Sequence, residues 1–240
     1  MEDTIAAIAT CVGESAINII KISGSKSINI VNSMFRGKDL TKVNGNSINY
    51  GFIVDKNEIV DEVLVSVFKN PNSSTGEDVI EINSHGGITA TNKILELILN
   101  NGARLAEGGE FLKRAFLNGK VDLIKAESIS DLISSETENA RKMIAKGVSG
   151  ELSKLINNLR GEILSLIANI EVNIDYPEYE DALIVTKKML KEKTKNIKEK
   201  LKKILKESEN GVLIKDGIKV AIIGKPNVGK SSLLNTLIKE

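Results

Sequence analysis

The spacing of apolar residues changes once along this 240-residue chain, near Glu110, and the change divides what the chain can fold into. Upstream, apolar residues come in short runs broken by Gly, Asn, Asp and Ser, the pattern of strands and turns. Downstream they recur at steps of three and four, as on amphipathic helices. Residues 4–10, 16–22, 47–54 and 59–68 read as strands, with a helix over 26–34 between the second and third. The turn formers Asp55-Lys-Asn57 join the last two strands into a hairpin. A loop, Pro71-Asn-Ser-Ser-Thr-Gly76, leads to a strand over 78–83. His85-Gly86-Gly87 then turns the chain into an amphipathic helix over 88–99, with Ile94, Leu95, Ile98 and Leu99 on one face. These elements make an α+β domain, placed at residues 1–119.

The second region, residues 120–210, reads as an incomplete α-helical bundle domain. Ile144, Val148, Leu152, Leu155, Leu159, Ile163, Leu166 and Ile170 form the stripe of one long helix facing partners in a bundle, with no chemistry assigned to it. Ile174-Asp-Tyr-Pro177 stops that helix, because proline restricts the residue before it. A further helix runs from about 185 to 209, with Leu190, Ile197, Leu201 and Ile204 inward and many lysines outward. The lysines are interspersed with Glu192, Glu199 and Glu207 and read as a solvated face; contact with RNA phosphates is the sharper alternative. Asn210-Gly211 is expected to end the helix.

The third region, 211–240, carries Val220-Ala-Ile-Ile-Gly224-Lys-Pro-Asn-Val-Gly229-Lys230-Ser231, a GxxxxGKS loop between a β-branched run and an apolar, helix-prone segment. This is a P-loop in its strand–turn–helix context. Its glycines let successive N–H groups face a phosphate chain, and the helix N-terminus adds a favourable dipole. Lys230 would reach the terminal phosphates and Ser231 would hold Mg²⁺. Only nine residues follow Ser231, whereas nucleotide hydrolysis needs further strands, a second Mg²⁺ ligand and a means of positioning water. The segment therefore reads as the first strand and helix of a P-loop α/β domain within a longer protein. Ile222, Ile223, Leu233, Leu234 and Leu237 are expected to be exposed or docked elsewhere.

Thirty-three basic and 32 acidic residues leave a net charge of +1, so the chain as a whole makes no electrostatic case for nucleic acid or membrane. The single Cys11 rules out an internal disulfide framework, fits a reducing cytosol, and is expected to be a small packed residue. No apolar run approaches the ~20 residues of a membrane span, and no signal segment opens the chain, which points to a soluble, cytoplasmic protein without a membrane partner. Scarce aromatics argue against stacking platforms for single-stranded nucleic acid.

Several stretches, in order along nearly the whole chain, carry a family resemblance. They are Asp3-Thr-Ile-Ala-Ala-Ile-Ala-Thr10 with Ile22-Ser-Gly24; Thr75-Gly-Glu-Asp-Val-Ile-Glu81 with His85-Gly-Gly87; and Gly102-Ala-Arg-Leu-Ala-Glu107 running into Glu110-Phe111 and Lys113-Arg-Ala-Phe-Leu-Asn118. The last continues through Lys120-Val-Asp-Leu123 and Ala126-Glu127 to Asp131-Leu-Ile133. With Ile174-Asp-Tyr-Pro177 and the P-loop, they resemble the MnmE (TrmE) family of tRNA-modification GTPases. The resemblance implies an N-terminal tetrahydrofolate-binding domain that forms a homodimer, a helical domain, and an inserted Ras-like GTPase domain. It also implies work with the flavoprotein MnmG (GidA), adding an aminomethyl-type group to C5 of the wobble uridine of tRNA. The carbon would come from 5-formyl- or methylene-tetrahydrofolate, and the work would be coupled to GTP hydrolysis with K⁺ and Mg²⁺.

Carried over by position, the resemblance assigns folate contacts to Lys21, Glu81 and Lys120. Glu81, at a strand end, would accept from pterin N–H groups, and the two lysines would meet carboxylates or ring oxygens. Read without the family, Lys21 is a strand-end surface lysine and Glu81 a solvated residue. The family usually has arginine at 21, so a planar fork becomes a point charge here, and the loop Cys11-Val-Gly-Glu-Ser-Ala16 departs from the family's proline- and glycine-rich form. The resemblance assigns GTP contacts to Asn227, Val228, Gly229, Lys230, Ser231 and Ser232, with Asn227 on K⁺ and Ser231 on Mg²⁺. His85, the only histidine, would need a partner carboxylate to act as a general base; a turn residue without a proton-transfer role is the plainer expectation. No catalytic residue is assigned. These 240 residues are expected to bind folate and dimerise without hydrolysing GTP; the alternative is a non-catalytic dimerisation scaffold docking MnmG or tRNA.

Overall fold

The computed structural model describes residues 3–11, 13–175, 186–216 and 220–238, with the backbone alone over 209–216. The chain divides into two compact units, Met1–Glu127 and Ser128–Glu240.

In the first unit, β1 (Ile5–Ile8), β2 (Ile17–Ser23), α1 (Ser27–Met34), β3 (Phe35–Arg36), β4 (Ser47–Asp55), β5 (Glu58–Phe68), β6 (Val79–His85), α2 (Ile88–Asn100), β7 (Arg104–Leu105) and α3 (Glu110–Leu117) follow in order. The strands form one seven-stranded sheet, β3-β4-β5-β6-β2-β1-β7. Its pairs are antiparallel apart from the parallel β1–β7 edge. Strand alternation decides the two faces. Register places Ile20 opposite Ile82, Ile22 opposite Ile80, and Val65 and Val67 beside them. All of these are buried with Ile30 and Val31 of α1 and Ile94 and Ile98 of α2. Burying each such side chain contributes roughly 1.5–3 kcal/mol.

The other face remains partly open. Ile17, Ile48, Tyr50 and Leu64 are 59, 70, 59 and 46% exposed, a larger apolar surface than isolated surface residues make. Close packing at the covered edge requires glycine at 51, where a Cβ would lie 2.5 Å from the Phe35 ring and 2.6 Å from the Arg36 carbonyl oxygen.

The expected β4–β5 hairpin is present, turning through Lys56 at φ 56°. The strand expected over 78–83 runs on to His85, so Glu81 lies inside it and not at its end. Lys21 is likewise inside β2. Arg104–Leu105, too short for any periodicity, is held by pairing with β1. On α2, Leu97 is buried and Leu99 only partly so, a one-residue shift of the inner face.

Beyond α3 the described chain is helical: α4 (Leu123–Ile133), α5 (Glu138–Val148), α6 (Glu151–Asp175), α7 (Lys187–Asp216) and α8 (Lys230–Ile238). The single long helix expected through 144–170 is two helices. The chain breaks at Ser149-Gly150, where Gly150 takes φ 83°, a left-handed conformation that ends one helix and lets the next begin. Its stripe is also less sealed than expected. Ile144 and Leu159 are buried, while Leu152, Leu155 and Ile163 are exposed, as α5 and α7 cover only part of α6 among the described residues. Tyr176 and Pro177 of the expected stop lie outside the described residues, as does the expected start at 185. At Lys187 the Thr186 hydroxyl caps α7, accepting from the Met189 N–H at 3.3 Å.

Asn210-Gly211 does not end α7, which continues to Asp216; glycine inside a helix costs only about 1 kcal/mol relative to alanine. Nor is the expected strand formed over 220–224. A strand exists by pairing, and every strand of the described sheet lies between Ile5 and Leu105. As expected, Ile222, Ile223, Leu233, Leu234 and Leu237 are exposed. Among the described residues no helix is long and apolar enough to cross a membrane.

Candidate functional site

Lys21 and Glu81 face each other across the β2–β6 ladder. Their neighbours Ile20, Ile22, Ile80 and Ile82 point into the core, so alternation carries both charges to the open face of the sheet. Lys21 Nζ lies 3.5 Å from Glu81 Oε1, with the two side chains 19 and 31% exposed. The ammonium also sits 5.5 Å from the centre of the Phe111 ring, within cation–π range. A half-buried carboxylate, a cation and an aromatic face thus meet at one place, a set suited to a flat, hydrogen-bonding heterocycle.

Phe111 is placed by α3, and α3 is anchored by a buried charge cluster. Arg114, 1% exposed, donates from Nη1 to the Asp3 carbonyl at 2.9 Å and to Glu77 Oε2 at 3.1 Å, and from Nη2 to Asp3 Oδ1 at 2.9 Å and Glu110 Oε1 at 3.2 Å. Arg104 donates to Asp3 Oδ2 at 2.6 Å and Glu110 Oε2 at 2.8 Å. Ser23 at the end of β2 donates to Glu77 Oε2 at 2.7 Å. The Arg104 hydrogen bonds are the largest cause that lowers the Glu110 carboxyl to about 2, with backbone N–H and Arg114 donors adding to them against the cost of burial. The cluster ties the starts of β1 and α3, the short β7 and the approach to β6 into one rigid unit.

Lys120 is set at the other end of α3. Gly119, at φ 69°, lets the helix close with Lys120 N–H donating to the Ala115 carbonyl at 2.8 Å. Lys120 Nζ then donates to the Pro71 carbonyl at 2.9 Å, and Asn118 Nδ2 to the Thr75 carbonyl at 2.8 Å. The three residues assigned by resemblance therefore divide. Lys21 and Glu81 are in contact, whereas Lys120 rests on the 71–76 loop.

His85 has the carboxylate that sequence could not supply. Its Nδ1 lies 2.7 Å from Asp61 Oδ1, and its backbone N–H donates to Asp61 Oδ2 at 2.8 Å. The hydrogen bond to Asp61 raises the imidazole above its ordinary value. His85 ends β6 and shares the Glu81 face, four residues along, about 13 Å at the strand rise. Cys11, expected to be packed, is exposed on a loop outside the sheet.

In the glycine-rich loop, Asn227 and Gly229 take φ of 62° and 89°, curling the chain ahead of α8. Lys230, the first residue of α8, folds back so that Nζ donates to the Gly224 and Lys225 carbonyls at 3.0 and 2.6 Å. Asn227, Val228, Ser231 and Ser232 are exposed around it. The donor set fits a phosphate chain with oxygen-ligated cations: backbone N–H groups, one ammonium, the Ser231 hydroxyl and the Asn227 amide oxygen. Among the described residues no cluster of His, Cys, Asp or Glu could hold a metal ion.

Sequence reasoning missed Phe111, Arg114 and Asp61 as supporting residues. Glu110 and Arg114 stand four apart at a helix start, a spacing that does signal a pair. The partners of Phe111 and Asp61 lie 90 and 24 positions away, and nothing local marks them.

Residues 4–120 match the family model described as the GTP-binding protein TrmE N-terminus, and residues 123–236 match the MnmE helical domain. The tRNA modification GTPase MnmE of Lactococcus lactis subsp. lactis (strain IL1403) is 53% identical over 238 residues, covering 99% of this chain and 52% of the relative. That of Streptococcus mutans serotype c is 52% identical over 238 residues, with the same coverage. The chain spans about half the length of the curated relatives it matches.

Proposed function

The chain belongs to the MnmE family through its N-terminal and helical domains, and from that premise we propose that it serves tRNA modification as a folate-binding, dimer-forming part of a GTPase. The observation that carries this reading is the Lys21–Glu81 pair beneath Phe111. Glu81 would accept hydrogen bonds from the amino and ring N–H groups of a reduced pterin. Phe111 supplies an apolar wall, and Lys21 neutralises the carboxylate and reaches ring oxygens. Lys120, on the 71–76 loop, would meet the ligand beyond the pterin once drawn off the Pro71 carbonyl. The folate, as 5-formyl- or methylene-tetrahydrofolate, supplies the one-carbon unit; these residues bind and orient it.

The open apolar sheet face around Ile17, Ile48, Tyr50 and Leu64 supports a homodimer through the N-terminal domain. In the glycine-rich loop, Lys230 would exchange the Gly224 and Lys225 carbonyls for GTP phosphates. Val228, Gly229 and Ser232 would line the phosphate chain, Ser231 would hold Mg²⁺ and Asn227 K⁺. MnmG and a tRNA wobble uridine are the partner and substrate of this reading, in the cytoplasm. The 240 residues alone bind folate and dimerise without hydrolysing GTP, since one loop and one helix do not position a water. Calorimetric titration with 5-formyltetrahydrofolate beside a GTPase assay tests it: saturable binding with no phosphate release is expected, and heat-silent mixing or steady GTP turnover contradicts it.

A further inference from the structure

On α7 a row of lysines runs along one side of the helix. At about 100° per residue, Lys188, Lys191, Lys195, Lys198, Lys202 and Lys206 fall within a sector of about 80°, spaced three or four apart over about 27 Å. All six are exposed, and none makes an ion pair among the described residues. The ion pairs of this helix, Lys200 with Glu162 and Lys203 with Glu207, lie outside the sector. Glu192, Glu199 and Glu207 project outside it too. Glu192 and Glu199 flank the row, four residues after Lys188 and Lys195, yet neither forms an ion pair with it among the described residues, and within the row lysines stand three or four apart, where like charges repel.

We infer that this lysine row is a docking surface for the phosphate backbone of RNA. The inference rests on the proposed tRNA reading and adds the face that meets the nucleic acid. A rod of fixed positive charge on one helix matches a polyanion whose binding is driven by release of counterions. An anionic membrane is the weaker match. A helix lying on a bilayer inserts a continuous apolar face, but Leu190, Ile197 and Ile204 are half-buried where α7 packs on α6 and α5, opposite the lysines, and the exposed Leu201 and Leu205 alone do not make such a face. The helix also holds no aromatic residue. The near-neutral charge of the whole chain means that the attraction is local to this row.

The test measures fluorescence anisotropy of a labelled tRNA transcript with the 240-residue chain across a KCl series. It compares Lys191, Lys195, Lys198 and Lys202 all changed to Gln, the same four changed to Arg, and phosphatidylserine vesicles as a second polyanion. The Gln variant is expected to bind tRNA at least about tenfold more weakly, with its log–log salt slope reduced by about 3, and the Arg variant to retain both. Circular dichroism and folate titration of the Gln variant, expected to be unchanged, show that the fold survives. Equal affinity and slope for wild type and the Gln variant, absence of tRNA binding, or binding to vesicles in preference to tRNA would each overturn the inference. Loss of folate binding from the wild type would instead overturn the proposed function.

Discussion

Lys21 stands directly across the β2–β6 ladder from Glu81, its ammonium 3.5 Å from the carboxylate and beneath the ring of Phe111. Two oppositely charged residues 60 positions apart become one site because each lies between core isoleucines on its own strand. The pair is partly exposed, so it contributes little to stability; its consequence is for binding.

Replacing Lys21 with Arg is expected to raise affinity for 5-formyltetrahydrofolate severalfold. The guanidinium offers a planar fork to Glu81 and ligand oxygens, and it stacks on Phe111 at least as well as the ammonium does. Titration calorimetry of the variant beside the wild type measures it; equal or weaker binding would show that the planar fork gains nothing here.

Arg114→Ala is expected to destabilise the first unit by about 3–5 kcal/mol, because it leaves the buried Glu110 and the nearly buried Glu77 short of their charge partner. A fall in the urea midpoint at unchanged m-value would register it. A loss below about 1 kcal/mol would mean that Arg104 alone satisfies the cluster.

Acid should weaken the same cluster. Glu110, ordinarily near 4.5, is held at about 2 in the folded protein, and Asp3 is shifted in the same direction. A depressed carboxyl stabilises fully above its unfolded value and loses that contribution as pH falls from about 4.5 towards 2. Urea midpoints at pH 7, 4 and 2.5 should decline over that window, and the decline should be shallower in Arg104→Ala, which removes the principal donor.

Much of this fold could be read from sequence, and the misreadings share a physical cause. The β4–β5 hairpin, α1 and α2 were legible because alternation, turn residues and a 3.6-residue period are local. Strand ends were not, since β6 extends to His85 through pairing with Ile17 on β2, a partner far away in sequence. Gly150 ended a helix and Gly211 did not. The residue type is the same, and the left-handed backbone at 150 is what distinguishes them. In the site, Lys21 and Glu81 came from family likeness, with no local signal for either. Asp61 and Phe111 came only from three-dimensional contact.

His85 provides a single-residue readout of the open face. Its pairing with Asp61 raises its folded value above 6.5, so the pair stabilises below that pH and the contribution fades as pH rises through the folded value. With one histidine in the chain, its ring resonance can be followed by NMR without ambiguity. The midpoint should lie above 6.5 and drop in Asp61→Asn; an unchanged midpoint would mean that the hydrogen bond does not persist in solution.

The most direct measurement is calorimetric titration of the 240-residue chain with 5-formyltetrahydrofolate, run beside Glu81→Ala. The account predicts saturation near one ligand per chain for the wild type and its loss in the variant, with both proteins equally folded by circular dichroism. Saturable binding that survives Glu81→Ala, or no binding by a folded wild-type chain, would contradict the assignment of the Lys21–Glu81 pair as the folate site.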